Sequence, residues 1–400
     1  MIQKTKKYFI HTFGCQQNVA DSERIASLYE SRGILPAKTK NDADIIILNT
    51  CVIRERAEEK VFGLIRSIRE GNYGRTDAHI VITGCLIGAA TREPSGKMLK
   101  KLRLRLLLAS PIGRPDVEFL PMEEVGFEHA PKRTSKKFAS IPISNGCNNY
   151  CAYCIVPFSR GKEVSRPFEE IIAEAEGLAN DGFEEIVLLG QNVNSYGADF
   201  LREKIKDGDE YILPDGTSVK PTMVKHLNRH RIPTLFPQLL ERVARIAGIQ
   251  KVSFLSSNPW DFSDELIDVM ARNKNIDRLL HLPVQSGSSE ILKAMNRWYT
   301  REEYLALISR IRTKIPEMKF TTDIIVAFPG ETLEDFEDSK NLVREVGFEK
   351  VYIAWFSPRP GTAAKEKMED IIPIEEKKRR FKELDDLVLD LSGRTHLKDK

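Results

Sequence analysis

Cys147, Cys151 and Cys154 follow one another as Cys-x3-Cys-x2-Cys inside GCNNYCAYCIVPFSRG, directly after a predicted strand. Three thiolates on one tight loop can hold an iron–sulfur cube by three corners and leave its fourth iron open to another ligand. An open iron turns an electron carrier into a catalyst. The same spacing also suits a three-cysteine zinc loop awaiting a fourth ligand, or three buried thiols.

The other three cysteines, Cys15, Cys51 and Cys85, lie 36 and 34 residues apart, too far for a local metal knuckle. Each closes an apolar, β-favouring run: 8–14, 44–50 and 79–84. Helical patterns at 21–32 and 54–70 separate these runs. Strands alternating with helices at this period predict a parallel sheet with crossover helices. Its strand C-termini share one edge, where ligands bind. One thiol at a strand end is ordinary packing. Three at equivalent ends predict a second three-cysteine cluster.

The elements that position the first loop begin near residue 138. Predicted strands at 139–144, 185–190, 251–256, 278–284, 319–328 and 350–356 alternate with helices near 168–180, 235–247, 264–273, 288–295, 301–315 and 333–346. Ser263 and Thr300 have the residue type and placement of N-caps. Six strand–helix units make most of an eight-unit barrel, and the cysteine loop, following the first strand, lies at its catalytic face. Polar residues end the other strands, among them Gln191, Asn192, Gln285, Ser286 and Asp323. Each alone is ordinary turn chemistry; together they predict a rim pocket. The Pro/Gly-punctuated stretch 198–234 reads as an insertion at the barrel mouth. His226 and His230 within it have the i, i+4 spacing of helical metal ligands, but with no acidic partner motif nearby they read as solvent- or RNA-facing.

The fold class is therefore α/β: an N-terminal parallel-sheet domain at 1–127, a basic linker at 128–137, a partial (βα)6 barrel at 138–365 and a charged C-terminal helix at 366–400. With 41% hydrophobic and 30% charged residues, the composition is that of a soluble globular chain. No membrane span or signal peptide is read, so a cytoplasmic location is expected, where clustered cysteines bind metal more often than they pair. A net charge of +3 names no partner. The basic runs 97–105, 132–137 and 377–382 suit RNA phosphates or, more commonly, a solvated face.

The segments TFGCQQNVADSER, LNTCVIRERAEEKV, GCNNYCAYCIVPFSRGKEVSRP, LLGQNVNSYG, HLPVQSGSSEILKAMNR and TTDIIVAFPGET resemble the radical S-adenosylmethionine methylthiotransferases. GQNVNSYG and HLPVQSGS are most similar to the subfamily that acts on N6-isopentenyladenosine beside the tRNA anticodon. The resemblance implies two 4Fe-4S clusters and S-adenosylmethionine. Cys147, Cys151 and Cys154 would hold the cluster that cleaves S-adenosylmethionine to a 5′-deoxyadenosyl radical, and Cys15, Cys51 and Cys85 the cluster that delivers sulfur. Gln191, Asn192, Gln285, Ser286, Arg297 and Asp323 would contact S-adenosylmethionine, with Arg297 and Asp323 pairing its carboxylate or each other. Arg160, Lys162 and Arg166 would guide phosphates of the tRNA anticodon stem-loop or face solvent. A flavodoxin or ferredoxin would donate electrons to a monomeric enzyme. Rival readings are the same chemistry on threonylcarbamoyladenosine or a ribosomal-protein aspartate, or a non-catalytic iron–sulfur RNA-binding protein.

The chain departs from the family pattern in places. Residues 88–120 match poorly, and the 198–234 insertion is long. Ala327 and Trp298 stand where glycine is usual. The small C-terminal RNA-binding β-barrel of the family is expected to be absent.

Overall fold

The computed structural model describes residues 5–392 apart from 53–54, 110–116, 128–129, 202–203, 207, 214 and 227–229. It divides into two compact units, the first comprising the chain up to Lys136 together with Ile155–Lys162, the second Lys137–Cys154 and Glu163 onward. The sequence reading keeps Ile155–Lys162 within the barrel; in the structure these residues group with the first unit.

In the first unit, strands β1 (Lys7–Thr12), β2 (Leu35–Pro36), β3 (Ile45–Thr50), β4 (His79–Gly84) and β5 (Val117–Leu120) form one parallel sheet in the order β2-β1-β3-β4-β5. Every residue of β3 is buried, as a central strand covered on both faces must be. Ile46 and Leu48 pack against α2 (Glu55–Arg69), α3 (Cys85–Arg92) and α4 (Lys97–Ala109). Ile45 and Ile47, on the opposite face, pack against Ile25, Leu28 and Tyr29 of α1 (Gln16–Ser31). A short α5 (Met122–Val125) follows β5, and α6 (Val156–Ser159) packs on α3. The poorly matching stretch 88–120 thus supplies α4 and the fifth strand. Helix α1 starts five residues earlier than its apolar pattern suggests, with Cys15 at the N-cap position.

The second unit holds six parallel strands: β6 (Phe138–Pro142), β9 (Glu185–Leu189), β14 (Lys251–Phe254), β15 (Leu279–His281), β16 (Lys319–Val326) and β17 (Lys350–Trp355). They run in the orders β6-β9-β14 and β15-β16-β17, joined by the single parallel bridge Val252–Ile276. A small antiparallel pair, β7 (Ser144–Asn145) with β8 (Val164–Ser165), follows the first strand. The crossovers are α7 (Phe168–Asn180), α9 (Phe236–Ala244), α10 (Asp264–Arg272), α11 (Ser289–Ala294) with α12 (Arg301–Lys314), and α13 (Leu333–Val346). Ser263 accepts from Leu266 N–H, and Thr300 with Glu303 makes a capping box. Helices α14 (Ala363–Lys367) and α15 (Ile374–Ser392) complete the unit.

The insertion at 198–234 is built largely of β-hairpins. After α8 (Ala198–Leu201) it forms two hairpins, β10 (Tyr211–Ile212) with β11 (Ser218–Val219), and β12 (Thr222–His226) with β13 (His230–Thr234). His226 and His230 are cross-strand partners in the second hairpin, not neighbours on a helix. Val224 and Ile232 bury one side of that hairpin with Ala198, an alternation that favours strand over helix.

Candidate functional site

In the first unit all three cysteines stand at the C-terminal edge of the sheet. Cys15 N-caps α1, Cys51 follows β3, and Cys85 opens α3 immediately after β4. Two glycines let these turns approach. A Cβ on Gly14 (φ +107°) would lie 2.7 Å from Cys51 Cβ, and one on Gly84 (φ +84°) 2.5 Å from the Thr50 carbonyl. Asn18, fully buried, donates from Nδ2 to Asn49 Oδ1 at 3.1 Å and to the Thr50 carbonyl at 2.9 Å. Thr50 Oγ1 donates to the Thr83 carbonyl at 2.5 Å. Cys51 and Cys85 are buried and Cys15 is exposed. Burial pushes the Cys85 thiol up to about 11, while the positive charge of Arg160 acts in the opposite direction.

Arg160 is itself a correction. It does not reach outward for phosphates but is 7% exposed, its Nη2 donating to Asp21 Oδ2 at 2.7 Å. Arg166 is likewise buried, paired with Glu174 at 2.7 Å. Two residues of the basic C-terminal run turn inward as well: Lys377 pairs with Asp370, and Arg380 with Glu331 and Glu376. Arginine tolerates such sites because its planar fork matches carboxylates.

In the second unit the loop carrying Cys147, Cys151 and Cys154 starts beyond β7. It is held by Cys154 N–H to the Cys151 carbonyl (2.9 Å), Ala152 N–H to the Met295 carbonyl (2.8 Å) and Asn296 Nδ2 to the Tyr150 carbonyl (3.0 Å). Cys147 is buried, and Cys151 and Cys154 are partly buried. Burial drives the Cys147 thiol well above its ordinary range, and Glu163 and Cys151 add to the rise. Among the described residues no three His, Cys, Asp or Glu side chains are gathered around a single ion. That is compatible with a cube, in which each thiolate binds a different iron.

The rim bears two marks of a site. Among the described residues, five non-glycines have positive φ, and all belong to this unit: Tyr150 on the cysteine loop, Ser256, Gln285 and Ala327 beyond β14, β15 and β16, and Asn296 after α11. Such backbone strain concentrates at binding and catalytic sites. Ser144 Oγ, Asn149 Oδ1, Asn192 Oδ1 and Ser257 Oγ are also buried with no hydrogen-bond partner. They sit on the cysteine loop or just beyond β6, β9 and β14, where a polar ligand would satisfy them.

The other expected rim residues divide. Gln191 Oε1 accepts the Gly146 N–H at 2.5 Å, bracing the cysteine loop. Asn192 Nδ2 donates to Asp261 at 2.7 Å, leaving Oδ1 for a ligand. Ser286 Oγ is used by Ser288 N–H at 3.2 Å. Asp323 Oδ2 lies 3.5 Å from His281 Nε2. Arg297, 7% exposed, donates to Asn258 Oδ1 (3.1 Å), the Pro283 carbonyl (2.7 Å) and Tyr299 Oη (3.1 Å), with Nη1 3.7 Å from Cys151 Sγ. Its guanidinium lies 4.7 Å from the Trp260 ring centroid. A cavity of about 350 Å³ adjoins it, lined by Trp260, Trp298, Tyr299 and Met223 of the hairpin, and none of the six cysteines lines it. Asn18, Asn49, Asp21 and Glu163 escape sequence reasoning. Their partners lie 31 to 139 residues away, and the one local signal is a polar residue closing an apolar strand, as Asn49 closes IIILN.

Residues 141–343 match the radical SAM superfamily, and residues 7–103 match the uncharacterized protein family UPF0004. The chain is 41% identical over 402 residues to the tRNA-2-methylthio-N(6)-dimethylallyladenosine synthase of Dictyoglomus thermophilum, covering 95% of this chain and 82% of that one. It belongs to that synthase family. Relatives with the same name from Thermotoga petrophila (39% over 388 residues, 94% and 80% covered) and Carboxydothermus hydrogenoformans (40% over 406 residues, 96% and 83% covered) agree. Among solved structures, the radical S-adenosylmethionine methyltransferase TsrM from Kitasatospora setae superposes with a TM-score of 0.54 at 15% identity, covering 90% of this chain and 75% of that one. That likeness speaks for the fold alone. Membership of the superfamily brings a 4Fe-4S cluster and S-adenosylmethionine. The three thiols carried on one loop and the orphaned polar atoms of the rim suit both. Among the described residues no helix is long and apolar enough to cross a membrane.

Proposed function

We propose that this enzyme inserts sulfur at carbon 2 of N6-isopentenyladenosine beside the tRNA anticodon and methylates it, giving 2-methylthio-N6-isopentenyladenosine. The observation that carries this reading is that each unit separately holds three cysteines, at the C-terminal edge of the parallel sheet in the first and on the one loop that follows the first strand in the second. The roughly two-fifths identity to synthases of that name supports the substrate.

Cys147, Cys151 and Cys154 hold a 4Fe-4S cluster with S-adenosylmethionine, and Cys15, Cys51 and Cys85 hold a second. Bound there, these groups supply one-electron chemistry at an unactivated carbon, which side chains do not. The chain's own residues bind and orient. Asn149, Asn192 and Ser257 offer open hydrogen-bonding atoms to the methionyl and ribose groups. Gln191 fixes the loop, and Arg297 fixes Cys151 and Asn258. The strained turns at Gln285 and Ala327 hold the rim in one shape. The target base, in a single-stranded loop, is splayed out to reach the barrel mouth. A small iron–sulfur or flavin protein supplies electrons in the cytoplasm.

The test is anaerobic reconstitution with iron and sulfide counts, beside Cys15→Ala/Cys51→Ala/Cys85→Ala. About eight irons falling to about four supports two 4Fe-4S clusters; four in both proteins removes the sulfur-delivering site. Nucleoside mass spectrometry then reads the substrate. A methylthio product from isopentenylated tRNA is expected, and one made only from threonylcarbamoylated tRNA overturns the assignment.

A further inference from the structure

We propose that Arg160 is the electrostatic positioning residue of the Cys15/Cys51/Cys85 site, a buried cation held by Asp21 that favours the reduced, more negative state of the cluster bound there. This rests on the two-cluster reading above and goes beyond it to how one site is tuned.

The geometry leads there in three steps. Asp21 lies on α1, which Cys15 caps, and its two carboxylate oxygens are oriented separately. Oδ2 takes Arg160 Nη2 at 2.7 Å, and Oδ1 takes Gln17 Nε2 at 3.3 Å. Arg160 follows α6, which is clamped to α3, the helix that Cys85 opens. Arg92 Nη1 donates to the Ser159 carbonyl at 3.0 Å, and a Cβ on Gly88 would lie 1.9 Å from that same oxygen. The ion pair therefore ties the helix that begins at Cys15 to the residue that follows α6, which packs on the helix that begins at Cys85. The positive charge of Arg160 opposes the burial that pushes the Cys85 thiol up.

Energetics argue that the pair is not there for stability alone. Its two side chains are 6% and 5% exposed, and a buried ion pair is often matched or bettered by apolar groups of the same volume. Three thiolates around a cluster put net negative charge at a sheet edge where two of the three cysteines are buried. A fixed guanidinium lowers the cost of adding one more electron, and Asp21 offsets part of that effect while holding the guanidinium in place.

The experiment uses the full-length chain carrying Cys147→Ala/Cys151→Ala/Cys154→Ala, so that one cluster remains. It is reconstituted, counted for iron and titrated with dithionite and mediators, each cluster taking one electron and no bond being made or broken. Arg160→Gln should lower the ratio of reduced to oxidised cluster at the parent midpoint about tenfold, a shift of about 59 mV for one electron. Arg160→Lys should recover most of it. Asp21→Asn, which removes the counter-charge, should move the ratio the other way. A merely structural pair predicts shifts of the same sign, or none, in Arg160→Gln and Asp21→Asn, and either result overturns the proposal. If Arg160→Gln loads no iron, Asp21→Asn decides alone: an upward shift supports the proposal and its absence overturns it. A parent that binds no iron sinks the two-cluster reading instead, a failure the iron count separates from the first.

Discussion

Asn18 and Asn49 hydrogen-bond reciprocally: Asn18 Nδ2 donates to Asn49 Oδ1 at 3.1 Å, and Asn49 Nδ2 donates to the Asn18 carbonyl at 2.7 Å. Both are fully buried. The exchange ties the helix that begins at Cys15 to the strand that ends before Cys51, so it sets the separation of two cysteines. Asn49→Ala leaves Asn18 and its carbonyl short of partners in a dry site, a loss worth about 1–3 kcal/mol for each unsatisfied group. The expected result is a lower urea midpoint and loss of about half the reconstituted iron, with S-adenosylmethionine cleavage retained. Unchanged iron content would show that the pair supports the fold and not the site.

Arg297 makes the corresponding link in the second unit. Its fork joins Asn258 and the Pro283 carbonyl while Nη1 approaches Cys151 Sγ, and no lysine spans all three. Arg297→Lys should cost about 1.5–3 kcal/mol through lost charge-assisted hydrogen bonds. It should also slow release of 5′-deoxyadenosine about tenfold with the iron count unchanged. Loss of iron in parallel with activity would instead make Arg297 a residue of cluster assembly.

How much of this was legible beforehand follows from what kind of signal each residue leaves. The strand–helix period carried Cys15, Cys51 and Cys85 to one sheet edge without any contact being known, because parallel strands end together. Helices at 168–180 and 333–346 appear with the expected bounds because their apolar stripes and flanking residues agree. Arg160 was not legible. In SRGK it reads as a surface cation, and its partner Asp21 lies 139 residues away. The His226–His230 spacing does not by itself tell a helix from a hairpin, because a hairpin with three intervening residues pairs i with i+4, and the alternation of Val224 and Ile232 separates the two. The rim strain was barely visible: Ala327 stands where glycine is usual, a departure that named no conformation, and Ser256 and Gln285 gave no hint.

Glu163 sets a pH dependence. It is 5% exposed, accepts from Ser195 Oγ at 2.5 Å, and burial together with Asp261 and Asp199 raises its carboxyl to about 8. The unfolded chain releases this proton near pH 4.5 and the folded chain near pH 8, so between those values the folded state binds more protons and stability falls as pH rises. Glu163→Gln removes this penalty. In metal-free protein the variant should match the parent near pH 4 and exceed it by on the order of a few kcal/mol at pH 9. Urea midpoints at the two pH values check this, and equal gains at both would mean the carboxyl is not the titrating group.

Ala327 offers a stability test of the strained rim. Its φ is +56°, it is fully buried, and its N–H donates to Glu331 Oε1 at 2.9 Å, the same oxygen that takes Arg380 Nη1 at 2.6 Å. That carboxylate holds the backbone in place from outside the turn, so the Cβ is tolerated rather than accommodated. A left-handed conformation costs an L-residue roughly 1–2 kcal/mol, and the greater freedom of an unfolded glycine returns about 0.5–1 kcal/mol of that. Ala327→Gly should therefore stabilise the second unit by about 0.5–1 kcal/mol and raise its melting temperature by about 1–4 °C for a unit of this size. Calorimetry on the metal-free protein checks it. A lower melting temperature would mean that the methyl group's packing beneath the rim outweighs the backbone strain.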